Sequence, residues 1–142
     1  MDFKRLFIVI QLVVSSFAYS QSSLSGYKLI GSSTGITQLT EAQVKDYFKG
    51  KYTLWKTGKS VKIVLYSSQS QHSVPLAKSI YNTTPQGVKK YWLSLVFQGR
   101  ANPPTFLESD SAIISYIQDT PGAMGFIQQN TTCPSQLIIQ IK

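Results

Sequence analysis

The sequence predicts an α/β domain, and three observations carry that expectation. Apolar residues recur at helical spacing in several segments, and short apolar runs bounded by turn residues alternate with them. The chain is 142 residues long, which is room for one domain of ordinary size. The clearest unit is Ser109 to Ile127. Ser109 and Asp110 can cap a helix start, and the acid suits the positive end of the helix dipole. Ile113, Ile114 and Ile117 form a single apolar stripe. Thr120-Pro121-Gly122 ends the helix, because Pro121 has no N–H and Gly122 accepts a positive φ. Ala123-Met124-Gly125-Phe126-Ile127 then reads as a buried strand. Its small residues, Ala123 and Gly125, fit a place where backbone, ligand or helix comes close.

Composition narrows the classes. Hydrophobic content of 42% with 14% charged residues suits a folded domain and argues against disorder. There are 14 Lys+Arg against 6 Asp+Glu, a net charge of +8; without residues 1–20, which hold Asp2, Lys4 and Arg5, 12 basic and 5 acidic residues remain. Such an excess favours an anionic partner. No lysine run is longer than Lys89-Lys90, so neither a polybasic patch nor a nucleic-acid-binding tail is expected. Cys133 is the only cysteine, which rules out an intramolecular disulfide, and it is expected as a small buried apolar side chain.

In chain order, Met1 to Ser20 reads as a signal peptide. Lys4 and Arg5 precede an apolar run from Leu6 to Val14, and Ala18-Tyr19-Ser20 places small residues at the cleavage positions. That run is short for a membrane span, and no Leu-x-x-Cys follows it. Residues 21–142 are therefore expected as a single exported domain, periplasmic or secreted, with no membrane span after cleavage. Tyr27 to Ile30 is a first strand. The following Gly31-Ser32-Ser33-Thr34-Gly35 loop could offer N–H and OH groups to an anion, making Ser32, Ser33 and Thr34 candidate ligand residues.

Thr40-Glu41-Ala42-Gln43 is a capping box, and Val44, Tyr47 and Phe48 supply the buried face of a helix closed by Gly50. Val61 to Tyr66 is a strand. The Ser67 to Ser73 segment leads into a helix carrying Val74, Ala77, Ile80 and Tyr81. Pro75 belongs in the first turn, so the helix should start between Ser70 and Val74. A helix start after a strand suits an anion, so Ser68, Ser70 and Gln71 are further candidates. His72, the sole histidine, has no acid near it in sequence and is expected as a cap or surface residue. Thr84 and Pro85 open another helix, whose Val88, Tyr91, Trp92, Leu95 and Val96 mark an apolar face. Phe97 to Pro104 is a loop. Within it Arg100, the only arginine after residue 20, is the candidate cation for an anionic ligand. Gln128 to Ser135 is turn material, and Leu137 to Ile141 is a last strand. The element order is β-α-β-α-α-α-β-β.

Pro121-Gly122-Ala123-Met124-Gly125-Phe126-Ile127 resembles a Pro-Gly-Ala-Ile-Gly-Tyr segment of the phosphate-type substrate-binding proteins of ABC transporters. Further similarity lies in Leu39-Thr40-Glu41, Tyr47-Phe48-Lys49-Gly50, Trp55, Gly58, Tyr91-Trp92, Phe97-x-Gly99 and Pro103-Pro104. The matches run from Leu39 to Ile127. The resemblance implies a three-layer α/β sandwich, a single lobe of a type II periplasmic-binding-protein-like fold; full members have two lobes that close on the ligand. The chain departs from the family where the ligand binds. Tyr66 falls at the family's strand-end arginine, Ser70 keeps its serine, and Gln71 and His72 replace its glycine and threonine. A tyrosine cannot supply the bidentate charged contact of arginine. Tyr66→Arg is thus expected to restore anion affinity if the pocket survives.

Two functions follow from this reading. One is a substrate-binding-protein-like domain holding phosphate or a related oxyanion for an ABC transporter, with Ser68, Ser70 and Gln71 on one side and Ser32 to Thr34 opposite. The other is an exported interaction module that keeps the lobe without the solute site and meets a partner protein or envelope polymer through its basic surface. Glu41, Asp46, Glu108, Asp110 and Asp119 are scattered, and three of them sit at helix ends. One histidine and one cysteine complete neither a nucleophile-base-acid set nor a metal cluster, so no enzyme activity, metal or cofactor is expected.

Overall fold

The computed structural model describes residues 24–142, so the expected signal peptide, residues 1–20, lies outside the described residues. The strands are β1 (Tyr27–Gly31), β2 (Gln38–Leu39), β3 (Lys62–Tyr66), β4 (Thr105–Leu107), β5 (Ala123–Gln128) and β6 (Ile138–Ile141). The helices are α1 (Glu41–Phe48), α2 (Ser73–Leu76), which runs on into a π-helical turn at Ala77–Tyr81, α3 (Pro85–Phe97) and α4 (Asp110–Asp119). A 3-10 turn, Ser135–Leu137, precedes β6.

The strands form one six-stranded sheet in the order β2-β6-β1-β5-β3-β4. β3 lies parallel to β4 and β5, whereas β1 is antiparallel to both β5 and β6. Alternation along β5 divides the layers. Phe126 faces Phe48 of α1, with ring centroids 4.9 Å apart, and borders the cluster of Leu76, Ala77, Ile80 and Val88. Gly125 faces the other way, where a Cβ would lie 3.4 Å from Ile117 of α4 and 3.1 Å from Val64. The result is a three-layer sandwich: α1, α2 and α3 on one side of the sheet, α4 on the other. This is the expected α/β architecture, and the close approach at Gly125 is that of a helix.

Local chemistry fixes the elements as the sequence implies. Thr40 and Gln43 close the capping box on α1, Thr84 caps α3 with Pro85 at its first position, and Ser109 caps α4 through Ala112 N–H. Ser73 to Leu76 starts within the expected window. Two strands escape the sequence reading, because β2 has two residues and β4 three, too short for a periodic pattern. Cys133 is only partly buried, against the rim of the core, a correction to its expected burial. On α3, Val88, Trp92 and Leu95 are buried, but Tyr91 is pushed to the surface. There its hydroxyl donates to Lys49 O at 2.6 Å. The Tyr81 hydroxyl donates to Phe48 O and accepts from Trp92 Nε1 at 3.0 Å. Carbonyls that the end of α1 would leave unpaired are thus met by phenols from two other helical segments.

The turn between α4 and β5 gathers the rest. Thr120-Pro121-Gly122-Ala123 closes through Ala123 N–H to Thr120 O at 3.0 Å, with Gly122 at φ +87°. Gly122 N–H donates to Ser32 O at 2.8 Å, and its carbonyl accepts from Lys62 N–H at 3.0 Å and from the buried Trp55 indole at 2.9 Å. A Cβ on Gly122 would lie 2.3 Å from Ser60 O. Gly122→Ala is expected to destabilise the fold by about 2–4 kcal/mol, combining the left-handed strain with the clash. Trp55→Phe, which removes the indole donor together with the second ring of a buried side chain, should also destabilise the fold, by about 2–4 kcal/mol. Urea denaturation of both variants checks these losses; a Gly122→Ala variant as stable as the parent would contradict the geometry.

Candidate functional site

The polar segment after β3 rises from the sheet edge in two linked turns. Ser67 N–H still bonds Leu107 O of β4 at 2.8 Å; Ser70 N–H then bonds Ser67 O at 2.9 Å, and Ser73 N–H bonds Ser70 O at 3.1 Å. Ser70 Oγ accepts from His72 N–H at 3.2 Å, and Ser73 Oγ donates to Ser70 O at 2.8 Å. Ser67 Oγ is buried with no hydrogen-bond partner among the described residues. Lys89 reaches this segment from α3: its ammonium donates to Ser68 Oγ at 3.2 Å and lies 5.9 Å from the centre of the Phe106 ring. Ser68, Ser70 and Gln71 therefore share the C-terminal edge of β3 with an exposed cation, Lys89, which is not among the expected ligand residues. Its signal is the helical phase: with Val88 in the core, the next position borders β4.

The other expected ligand residues are not brought to this edge. Gly31 is in register with Met124, and Met124 with Ile63, so the Ser32 loop leaves the sheet beside the start of β3. Six residues separate the level of Lys62 from Ser68, which is about 20 Å along a strand. Ser32, Ser33 and Thr34 thus do not stand opposite Ser68 to Gln71, because β1 runs antiparallel to β5. Ser32 Oγ instead bonds Ile117 O at 2.7 Å and Thr120 O at 3.0 Å, tying the end of α4 to β1. Thr34 is buried and bonded to the backbone of Ile36, and Ser33 takes a left-handed φ of 52°. Arg100 follows the C-terminus of α3, where it is exposed and, among the described residues, its guanidinium reaches only Gln98 Oε1, at 3.4 Å. It lies five residues before β4, toward the start of that strand and away from Ser68.

Beside the turn sits a second cluster. Tyr66, buried, donates its hydroxyl to Asp110 Oδ1; Asp110 Oδ2 accepts from Thr131 Oγ1, from Gln128 N–H at 3.1 Å and from Gln128 Nε2 at 3.3 Å. Tyr27 Oη and His72 Nδ1 share a hydrogen bond of 2.9 Å, and the His72 ring lies 5.6 Å from that of Tyr27 and 5.2 Å from that of Tyr66. His72 is therefore not a partnerless surface residue, and at the start of α2 its side chain makes no cap. Burial opposes charge on Asp110, but hydrogen bonds from Thr131, Tyr66 and Gln128 N–H, with His72 nearby, outweigh it and hold the carboxyl below its usual range. Burial, the bond to Asp110 and that carboxylate's charge all push the Tyr66 phenol well up, so it stays a donor. An arginine at position 66 would meet this carboxylate and form an internal pair, so Tyr66→Arg reports on that pair rather than on a free anion.

The chemistry available is anion contact. The Lys89 ammonium meets the Ser68 hydroxyl, and the neighbouring carboxylate of Asp110 already accepts from several donors. The cleft bordered by Ser68, Ser73 and Lys89 has room for only about 20 Å³ and is lined mostly by apolar side chains, so an anion would rest at the surface. A hollow of about 410 Å³ lies on the other side of Tyr27, where β6 parts from β1 after two paired residues; Lys28, Gln129 and Lys142 line it.

Because the Asp110 carboxyl is held below 3.8, it favours the folded state at pH above that value, and this contribution fades as pH falls through its lower folded value. Melting temperatures measured from pH 6 down to pH 2 should converge for the parent and Asp110→Asn in acid. Near pH 6 the variant should be weaker by roughly 1–3 kcal/mol. A constant gap across the series would contradict the assignment.

No protein-family model and no curated protein matches the sequence. Solved structures do match in fold. An ABC-type phosphate transport receptor from Vibrio cholerae superposes with a TM-score of 0.54 at 19% identity, over 82% of this chain and 46% of that one. A putative phosphate ABC transporter substrate-binding protein from Clostridium perfringens, with bound phosphate, superposes with a TM-score of 0.50 at 18% identity, over 82% of this chain and 44% of that one. The chain thus spans a little under half the length of these binding proteins, and it has the fold of a single periplasmic-binding-protein-like lobe.

Proposed function

We infer that the protein is an exported, substrate-binding-protein-like domain that holds phosphate or a related oxyanion loosely at the turn of Ser68, Ser70 and Gln71. One observation carries this: the Lys89 ammonium lies 3.2 Å from Ser68 Oγ, so a cation and a hydroxyl converge at the edge of β3. Lysine binds phosphate as a point charge, which partly replaces the arginine absent at position 66. The fold likeness to two phosphate-transport binding proteins supports the class and suggests service to an ABC transporter. Lys4, Arg5 and the apolar run after them support delivery to the periplasm or the outside by residues 1–20.

A second reading rests on the Tyr66 to Asp110 bond. An internal carboxylate stands close to where an arginine would receive the solute, which favours a lobe that meets a partner protein or envelope polymer instead.

Calorimetric titration with inorganic phosphate and sulfate at low ionic strength separates the two. The first reading expects dissociation constants on the order of millimolar, about −4 kcal/mol. Lys89→Gln should weaken binding about tenfold, the value of one charge-assisted contact. No heat with either anion overturns this reading and leaves the second.

A further inference from the structure

Half of the cations outside residues 1–20 fall in one short stretch. Lys45, Lys49, Lys51, Lys56, Lys59 and Lys62 lie within 18 residues that hold a single acid, Asp46. In the sequence they look dispersed, because no two are adjacent; the fold returns Lys56, Lys59 and Lys62 to one short arm. The stretch covers the end of α1 and a tight hairpin leading into β3. The hairpin is closed by Trp55 N–H to Lys59 O at 2.8 Å, Val61 N–H to Thr53 O at 2.9 Å and a bridge between Leu54 and Ser60. Its tip turns at Gly58, φ +86°. Tyr47 ties the hairpin to α1, stacking on Trp55 at 4.6 Å and lying 5.0 Å from Tyr52.

Alternation sorts the hairpin's side chains. Trp55 and Val61 are buried, while Tyr52, Leu54, Lys56 and Lys62 are exposed. Lys45 pairs with Glu41 and Lys51 with Asp46, but Lys49, Lys56, Lys59 and Lys62 make no ion pair among the described residues. Lys56 and Lys62 share the side of Leu54, while Lys59, opposite Trp55, leaves the tip on the other side; the hairpin thus carries three unpaired ammonium groups near a leucine that is 59% exposed and a tyrosine that is 43% exposed.

We propose that this hairpin face is a docking surface for anionic phospholipid headgroups, with Leu54 and Tyr52 entering the interface between the lysines. The side chains favour lipid over nucleic acid. The patch contains no arginine, the residue suited to forked contacts with phosphates and base edges, and its most exposed apolar side chain, Leu54, is aliphatic and cannot stack on a base. Long lysine stems can lie along the acyl boundary while their heads stay among headgroups, and tyrosine suits the same depth. The surface is separate from the turn at Ser68, and its test is independent of any phosphate titration.

Flotation with vesicles of phosphatidylcholine and phosphatidylglycerol, against phosphatidylcholine alone, tests it. The expected result is binding to the mixed vesicles only, released by raised salt. A lysine near such a surface is worth about fivefold in partition, so Lys56→Glu/Lys59→Glu should lower binding by roughly 25-fold or more. Leu54→Ser should lower it several-fold without removing its salt dependence. Circular dichroism checks that these exposed substitutions leave the fold intact. Lys90→Glu/Lys142→Glu makes the same change in net charge elsewhere and should have little effect; an equal loss in that variant overturns the proposal. No binding to the mixed vesicles also overturns it. So does tighter binding to duplex DNA that Leu54→Ser leaves unchanged, which would assign the face to nucleic acid.

Discussion

Four segments of the chain meet on the backbone of a residue with no side chain. Gly122 receives the Trp55 indole and Lys62 N–H on its carbonyl and gives its own N–H to Ser32, while Ser60 O passes where a Cβ would be. β1, the lysine hairpin, β3 and the α4–β5 turn are thereby positioned against one another by hydrogen bonds rather than by interlocking side chains. The arrangement needs a left-handed φ and an empty Cβ position together, and glycine alone meets both. Ser32, whose hydroxyl holds the last carbonyls of α4, belongs to the same knot.

That knot explains why a hydroxyl-rich loop that looks like an anion cradle is a structural joint. The sequence shows Ser32, Ser33 and Thr34 after a strand and Ser68, Ser70 and Gln71 after another, and both loops have a composition suited to an anion. Only strand direction separates them, and no local pattern reports it: β1 pairs antiparallel with β5, so its outgoing loop appears at the opposite edge from that of β3. The local features were legible. Helix caps at Thr40, Thr84 and Ser109 and the Pro121-Gly122 turn are encoded within a few residues and stand where the sequence places them, as do the apolar stripes apart from the exposed Val74 and Tyr91.

The candidate site was legible in part. Ser68, Ser70 and Gln71 are at a strand's C-terminal edge before a helix, as read from the sequence. Lys89, 21 residues away from Ser68, joins them only because α3 packs beside β4. Asp110 satisfies the dipole role expected of an acid at a helix start, which hid its tertiary role. Its partners Tyr66, Gln128 and Thr131 come from β3, the end of β5 and the following loop. His72 gained its neighbours the same way, through a β1 residue 45 positions earlier.

The phenols of Tyr81 and Tyr91 have a consequence for how α1 is seated. Each reaches a different carbonyl at the end of that helix, Phe48 O and Lys49 O. Sliding α1 by one residue would shift those oxygens by about 1.5 Å along the axis and swing them by roughly 100° around it. Both contacts would break at once, so the helix is keyed in rotation as well as in depth. Its outer surface can drift in sequence while its phase cannot, and the hairpin that Tyr47 ties to it inherits a fixed bearing on the body of the protein.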